Sequence, residues 1–472
     1  MNKKIYLMVF MVMISLPLIG MLWYRTDMTV EKRHARAFPS MIKEDRWNME
    51  FFSELTDYFS DYFAYRQELA TADAVIKSGI FHASNNEKVI IGKDKWLFFE
   101  ETKDDYVGRN LLSSRGIHNC AKVLSLLQEG AWKQGCEFLF VPAPNKNSLY
   151  PEYMPDRYVK ESTENNYSLL KKEMEKQQVD FVDLKEAFGK QDAVMYHKLD
   201  THWNNEGAAF AGGQILEHIG KEHVDYSKEN YQIQKSFSGD LWGMLYPKWN
   251  RLDENVIYDR QHIYEYCNDA GTTEDMLIET SCQGKDGSLV MFRDSFGNAL
   301  LPFLADEYGT AFFTKAVPYD ISLIRQYEAD TVILELTERH IASLQQELPI
   351  MQGPERDIEE NVIEILQSDT SVNIAEQGEY YVVYGILDSR YVEEDFDILI
   401  SVERNGKERI FEAFPAAYGL NGGAGYEDYQ YGIYLDKNVI GTKDCGLEVI
   451  AGRDGEYYSL QEISIYNGEK GE

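Results

Sequence analysis

The sequence predicts an α/β fold, a mostly parallel sheet flanked by helices, followed by an all-β module. Three observations carry this. Between residues 86 and 370 short apolar runs alternate with stretches of helical periodicity. The runs at 136–141, 179–182, 289–292 and 331–336 are continuous rather than alternating, as in strands buried on both faces. From about Gln377 the helical period stops, and short strands with polar turns fill 377–472.

Taken in order, the first element is a membrane anchor or signal over residues 1–25. Lys3 and Lys4 precede twenty uncharged residues, Ile5 to Tyr24, and Arg25 ends the run. A helix rising 1.5 Å per residue spans a hydrocarbon core of about 30 Å over that length. The leading lysines favour an orientation that places the rest of the chain outside the cytoplasm. Ala35-Arg36-Ala37 fits a cleavage pattern but lies beyond a charged stretch, so an uncleaved, single-pass anchor in the cell membrane is the expectation. Residues 26–85 read as a stalk and an amphipathic helix, with Phe51, Phe52, Leu55, Tyr58, Phe59, Tyr62 and Phe63 at helical spacing over 47–69. A hairpin follows at 89–99, where two apolar runs flank a Gly/Lys/Asp turn.

Residues 86–370 then predict one catalytic domain. Helices are expected at 117–134, 163–177, 205–219, 296–305 and 356–367, between the four buried strands. Pro142 and Pro144 are expected to stop the first of those strands. In the β module, strands are expected at 380–384, 396–402, 410–413, 429–435, 447–451 and 463–466.

Composition excludes more than it names. A formal net charge of −32 makes nucleic acid and anionic membrane poor partners for the bulk of the chain. The 32 tyrosines suit sugar-facing surfaces and equally suit ordinary β-rich domains. Five cysteines are an odd number, and none forms a CxxC pair, which argues against a zinc ribbon or thioredoxin-like site. Cys120–Cys136 and Cys267–Cys282 are the pairings that spacing allows in an exported protein.

Two segments carry chemistry. Lys198-Leu199-Asp200-Thr201-His202-Trp203 offers a carboxylate and an imidazole two positions apart. Met291-Phe292-Arg293-Asp294-Ser295-Phe296-Gly297 sets a serine where a strand turns into a helix. Together they supply a nucleophile (Ser295), a base (His202) and an orienting acid (Asp200). Ser295 also reads simply as a helix cap, and Asp200 with His202 as an Asx-turn bearing a surface histidine. Backbone N–H groups at the start of the helix suit an oxyanion. A metal reading would add His197 as third ligand, but no ligand spacing supports one, so neither metal nor cofactor is expected. Asn145 follows the first buried strand, where ligands sit in open α/β sheets, and is a candidate oxyanion donor. Arg293 either donates there or holds the turn, and Trp203 either stacks a sugar or fills the core. Glu338 and Arg339 read as a structural ion pair.

Five segments together resemble the alginate O-acetyltransferase type of SGNH-hydrolase-like protein and the related family named for its Asp-His-His-Trp motif. They are Glu31-Lys32-Arg33-His34-Ala35-Arg36-Ala37-Phe38-Pro39, Phe59-Ser60-Asp61-Tyr62-Phe63-Ala64-Tyr65-Arg66, Gly92-Lys93-Asp94-Lys95-Trp96-Leu97-Phe98, Asp200-Thr201-His202-Trp203 and Arg293-Asp294-Ser295-Phe296. Lys95 stands where the family pattern has a second glycine, and Thr201 where the Asp-His-His-Trp pattern has histidine. The resemblance covers roughly residues 31–345 and implies an SGNH-hydrolase-like domain. It also implies an acyl-serine at Ser295, transfer of acetyl to an extracellular or cell-wall polysaccharide, and a membrane-embedded acyltransferase as acyl donor. Two other readings stay open: a carbohydrate acetylesterase, and a non-catalytic polysaccharide-binding scaffold of a synthesis complex.

Overall fold

The computed structural model describes residues 3–21, 23–24, 35–43, 46–358, 362–418, 428–441, 445–453 and 455–465. Glu31 to His34 of the first motif and most of the predicted stalk lie outside them. The first helix is Lys3–Gly20, with Pro17 inside it. Among the described residues no helix is long and apolar enough to cross a membrane.

The central sheet has six strands. Their order is Glu137–Ala143, Thr331–Thr337, Ser288–Phe292, Thr310–Thr314, Leu277–Ser281 and Glu265–Tyr266. The first four are parallel to one another, Leu277–Ser281 is antiparallel to Thr310–Thr314, and Glu265–Tyr266 is antiparallel to Leu277–Ser281, so the sheet is mixed. Ser288–Phe292 is buried at every residue, as its unbroken apolar run requires. Helices Ser114–Lys133 and Asn166–Lys176 bury their apolar stripes in one core, and Asn205–His218 and Gly297–Ala305 bury theirs in another. Asn165 starts Asn166–Lys176 with a capping box, and Asn204 caps Asn205–His218 by accepting from Gly207 N.

Several expectations need correction. The strand predicted to stop at Pro142 runs on to Ala143, with Pro142 in register opposite Leu336. Glu137–Ala143 is an edge strand, where a missing N–H costs no ladder bond. The segment at 179–182 is reduced to one bridge, Phe140 to Phe181. The helix predicted at 47–69 is two helices, Phe51–Tyr62 and Arg66–Phe81, broken at Tyr65, whose φ is 61°. Among the described residues no disulfide forms, so neither Cys120–Cys136 nor Cys267–Cys282 is paired.

The predicted helix at 356–367 is also absent. Glu355–Arg356 and Val362–Glu364 are instead strands of the C-terminal module, which therefore begins earlier than residue 377. Its six-stranded sheet faces a three-stranded one, with Val383, Ile400, Phe411, Ile433 and Val449 between them. The module does not stand apart. Val382, Phe414, Ala416 and Tyr434 share a core with Leu344, Leu348 and Leu127 of the α/β domain. Buried Arg115 donates to Asp428 O at 2.9 Å and Glu393 O at 2.8 Å, and Arg356 bridges Glu129 and Glu412.

Candidate active site

Ser295 sits in the connection between Ser288–Phe292 and Gly297–Ala305. The neighbouring side chain shapes this turn. Asp294 accepts from Phe296 N at 2.8 Å and Thr337 N at 3.0 Å, and from the Thr337 hydroxyl. Asp294 therefore ties the turn to the end of Thr331–Thr337, no side chain caps Gly297–Ala305, and the Ser295 hydroxyl is left for another partner. Gly297 has to be small: a Cβ there would lie 2.7 Å from Arg293 Cβ.

That partner is His202. Its Nε2 lies 2.8 Å from Ser295 Oγ, and its Nδ1 lies 2.7 Å from Asp200 Oδ1. The same carboxylate oxygen accepts His202 N at 2.9 Å, and the second oxygen accepts Asp240 N at 2.7 Å. Burial alone would push the Asp200 carboxyl up, but its hydrogen bonds and the facing imidazole hold it well below the usual carboxylate range. Burial would lower His202, and the Asp200 hydrogen bond and charge outweigh it, so the imidazole sits above its ordinary value. The arrangement is that of a polarised hydroxyl, a base and a fixed anion.

The loop bearing Asp200 is held from two sides. From one side, the buried Lys146 ammonium donates to His197 O at 3.0 Å, to Lys198 O at 3.4 Å and to Asp200 O. Burial brings Lys146 down to about 8, against the pull of Asp200, Asp240 and Asp253. It lies 5.7 Å from the Trp96 ring and 5.3 Å from the Phe98 ring, both in the hairpin Val89–Ile91/Leu97–Phe99. Leu97 N donates to Lys198 O at 2.9 Å, so the hairpin buttresses the loop directly as well. From the other side, Asp240 accepts Thr201 N at 2.8 Å. Burial and the Asp200 charge raise Asp240 to about 6. Gly239 passes so close to the loop that a Cβ would meet Leu199 O at 2.2 Å. Neither Asp240 nor the clamp made by Lys146 was singled out from sequence, and Gly239-Asp240 opening a short helix was the available signal.

The other candidates fall elsewhere. Trp203 is 1% exposed, donates from Nε1 to Phe296 O at 3.1 Å and packs edge-on to Phe296, so it is core and presents no face to a sugar. Arg293 is buried and donates to Asn298 Oδ1 and Asp275 O, which holds the turn; burial lowers it to about 10. Asn145 donates to Asp105 Oδ2 at 3.2 Å, and its Oδ1 has no protein partner. Glu338 pairs with Lys185 at 3.1 Å and accepts Asn145 N at 2.8 Å rather than pairing with Arg339. His197 stacks on Phe237 at 3.8 Å, and burial lowers it to about 4.

Asp200, His202 and Asp240 present ligand atoms within 4.8 Å of one another. Both Asp200 oxygens already accept N–H groups and His202 Nε2 faces a hydroxyl, so this set fits a hydrogen-bond relay better than a cation. A cavity of about 560 Å³ is lined by Lys198, Leu199, Asn204, Ile233, Asp253 and Val256, and by neither Ser295 nor His202. A small one, about 10 Å³, lies among Phe98, Phe99, Asn145, Thr201, Phe296 and Arg339.

Residues 89–281 match the family model of the SGNH hydrolase-like domain of the acetyltransferase AlgX. The stretch includes the Gly92–Phe98 hairpin and Asp200 to Trp203 and stops short of Ser295. Two of the five segments that carry the resemblance lie inside this match, and residues 89–281 are similar to an SGNH hydrolase-like domain. The chain is 29% identical over 167 residues to a Pseudomonas syringae protein described as "Probable alginate O-acetylase AlgJ", covering 33% of this chain and 41% of that one. The chain thus spans less than half the length of this relative. Among solved structures, a DHHW family protein from Eubacterium siraeum is similar, with TM-score 0.43, 15% identity, and coverage of 54% of this chain and 97% of that one. Bacillus cereus PatB1 with a sulfonyl adduct gives TM-score 0.41 at 15% identity, again over 54% of this chain and 97% of that one.

Proposed function

We propose that this chain is an O-acetyltransferase that delivers acetyl to hydroxyls of an extracellular or cell-wall polysaccharide through an acyl-serine. The observation that carries the reading is the unbroken hydrogen-bonded run Ser295 Oγ, His202, Asp200. Ser295 Oγ attacks the acyl carbonyl of the donor, and its proton passes to His202 Nε2. The donor's acyl–oxygen bond breaks, and the same proton goes to the leaving oxygen. A sugar hydroxyl then attacks acyl-Ser295, again losing its proton to His202, which returns it to Ser295 Oγ. Asp200 holds the Nδ1–H tautomer and stabilises the imidazolium in each half-reaction. No cofactor enters either step.

The match to an acetyltransferase domain and the likeness to a protein described as an alginate O-acetylase support this substrate class. The donor side calls for a membrane-embedded acyltransferase, and the apolar run from Ile5 to Tyr24 supports an anchored, extracytoplasmic placement beside it. The test is intact mass of the soluble ectodomain after exposure to an acetyl-ester chromogen. An acetyl adduct is expected on wild type and none on Ser295→Ala. Turnover that survives Ser295→Ala would sink the assignment. Added polysaccharide acceptors separate transfer, which acetylates the polymer, from hydrolysis, which releases acetate whatever acceptor is present.

A further inference from the structure

Acyl transfer at Ser295 needs donors for the oxygen that becomes negative when the hydroxyl adds to the carbonyl. One backbone donor beside the hydroxyl is already used, since Phe296 N–H is bonded to Asp294 Oδ1 at 2.8 Å. Arg293 is occupied by Asn298 and Asp275. The Asn145 amide donates to Asp105. Arg339 differs from all of these. It is the second residue after Thr331–Thr337, and among the described residues its buried Nε and Nη1 have no hydrogen-bond partner. The guanidinium is held in place by rings: its Cζ lies 5.5 Å from the Phe99 centroid and 5.7 Å from that of Phe296. Phe296 is the residue after Ser295, and its ring lies 4.8 Å from that of His202. Arg339 also lines the small cavity with Thr201 and Phe296, each next in sequence to a member of the Ser295–His202–Asp200 run.

Resting on the acyl-serine reading above, we infer that Arg339 is a catalytic residue that donates hydrogen bonds to the acyl carbonyl oxygen as it becomes an oxyanion on Ser295. Buried donors without a partner are costly in a resting protein, and an aromatic clamp on a cation is a means of fixing its direction. Both features suit a group whose partner arrives with the reaction. When Ser295 Oγ bonds to the carbonyl carbon, the C=O electron pair moves to oxygen and meets Nε–H and Nη1–H. When the tetrahedral centre collapses, the pair returns and the leaving oxygen departs with the proton from His202. Arg339 neither gains nor loses a proton.

The experiment measures pre-steady-state acylation of Ser295 by an acetyl-ester chromogen in wild type, Arg339→Met and Arg339→Lys, with an arylboronic acid as a tetrahedral oxyanion mimic. Arg339→Met is expected to slow acylation about 10²–10³-fold, as loss of one oxyanion donor does, with KM little changed. Boronate affinity is expected to fall by more than tenfold. Arg339→Lys keeps a cation over the rings and is expected to recover part of both. Near-wild-type acylation in Arg339→Met, or slow acylation with unchanged boronate affinity in a variant of normal Tm, overturns the inference and leaves the Ser295 reading standing. Should Arg339→Met not fold, Arg339→Lys decides: acylation and boronate affinity both at wild-type level in it reduce Arg339 to its charge and overturn the inference, which rests on directed donors. If wild type itself forms no adduct at Ser295, the acyl-serine reading falls and this inference with it.

Discussion

Asp200 accepts three N–H groups, one of them from the His202 ring; burial lowers that imidazole, and the Asp200 hydrogen bond and charge raise it above its ordinary value. A base must be neutral to take the serine proton, so acylation is expected to rise with pH through the His202 value, which lies above 6.5. Asp200→Asn removes the charge that raises His202 and leaves the burial that lowers it. The midpoint of the kcat/KM profile is then expected to move to lower pH, while the plateau falls roughly 10³–10⁴-fold. A midpoint that stays put or moves up would show that Asp200 does not govern the imidazole. That Ser295, His202 and Asp200 could meet was legible at this scale from their residue types, and the structure brings the three together. Trp203 stayed undecided for the same reason, since an indole beside a histidine reads alike whether it faces a ligand or, as here, the core.

The hairpin at Val89–Ile91 and Leu97–Phe99 shows what an element can do at a distance from the reacting atoms. Its turn places Asp94 at φ 49° and Lys95 at φ 68°, the left-handed region that glycine tolerates best. Lys95 occupies the position where the resembling family pattern has glycine. Lys95→Gly is therefore expected to stabilise the protein by about 0.5–1 kcal/mol in urea denaturation, the relief of strain being partly offset by the freer unfolded chain. The hairpin's rings flank Lys146, whose ammonium ties down three carbonyls of the loop that ends in Asp200. Lys146→Met leaves buried carbonyls short of a donor and frees that loop. A loss of about 1–3 kcal/mol is expected, with acylation slowed roughly 10–100-fold. Equal stability together with equal acylation rate would remove the clamp from the account. The element boundaries followed from apolar period for the helices expected at 117–134, 163–177, 205–219 and 296–305, though not at 47–69, where the chain breaks at Tyr65. They failed at Pro142, which an edge strand accommodates, and at 356–367, where pairing with distant strands overrode a helical pattern.

Across the whole molecule, the α/β domain and the β module share one core and a buried arginine. Calorimetry is expected to show a single cooperative transition for both. A chain ended near residue 354 would expose Leu127, Leu344 and Leu348, and is expected to aggregate rather than fold as an independent enzyme. Two resolved transitions, or a soluble and active truncation, would show that the module is separable.

The strands Glu137–Ala143, Ser288–Phe292 and Thr331–Thr337, the change of texture near residue 377 and the two segments proposed to hold the chemistry can be read from the sequence, because apolar period and residue type are local properties of a chain. The partners of each polar group cannot. Ser295 and His202 are 93 positions apart, Asp200 reaches Asp240 across 40, and Asn145 reaches Glu338 across 193. Which hydroxyl is left for a base, which carboxylate caps a turn and which guanidinium stays unpaired depend on the way distant segments exclude water from one another. Only the folded arrangement decides that.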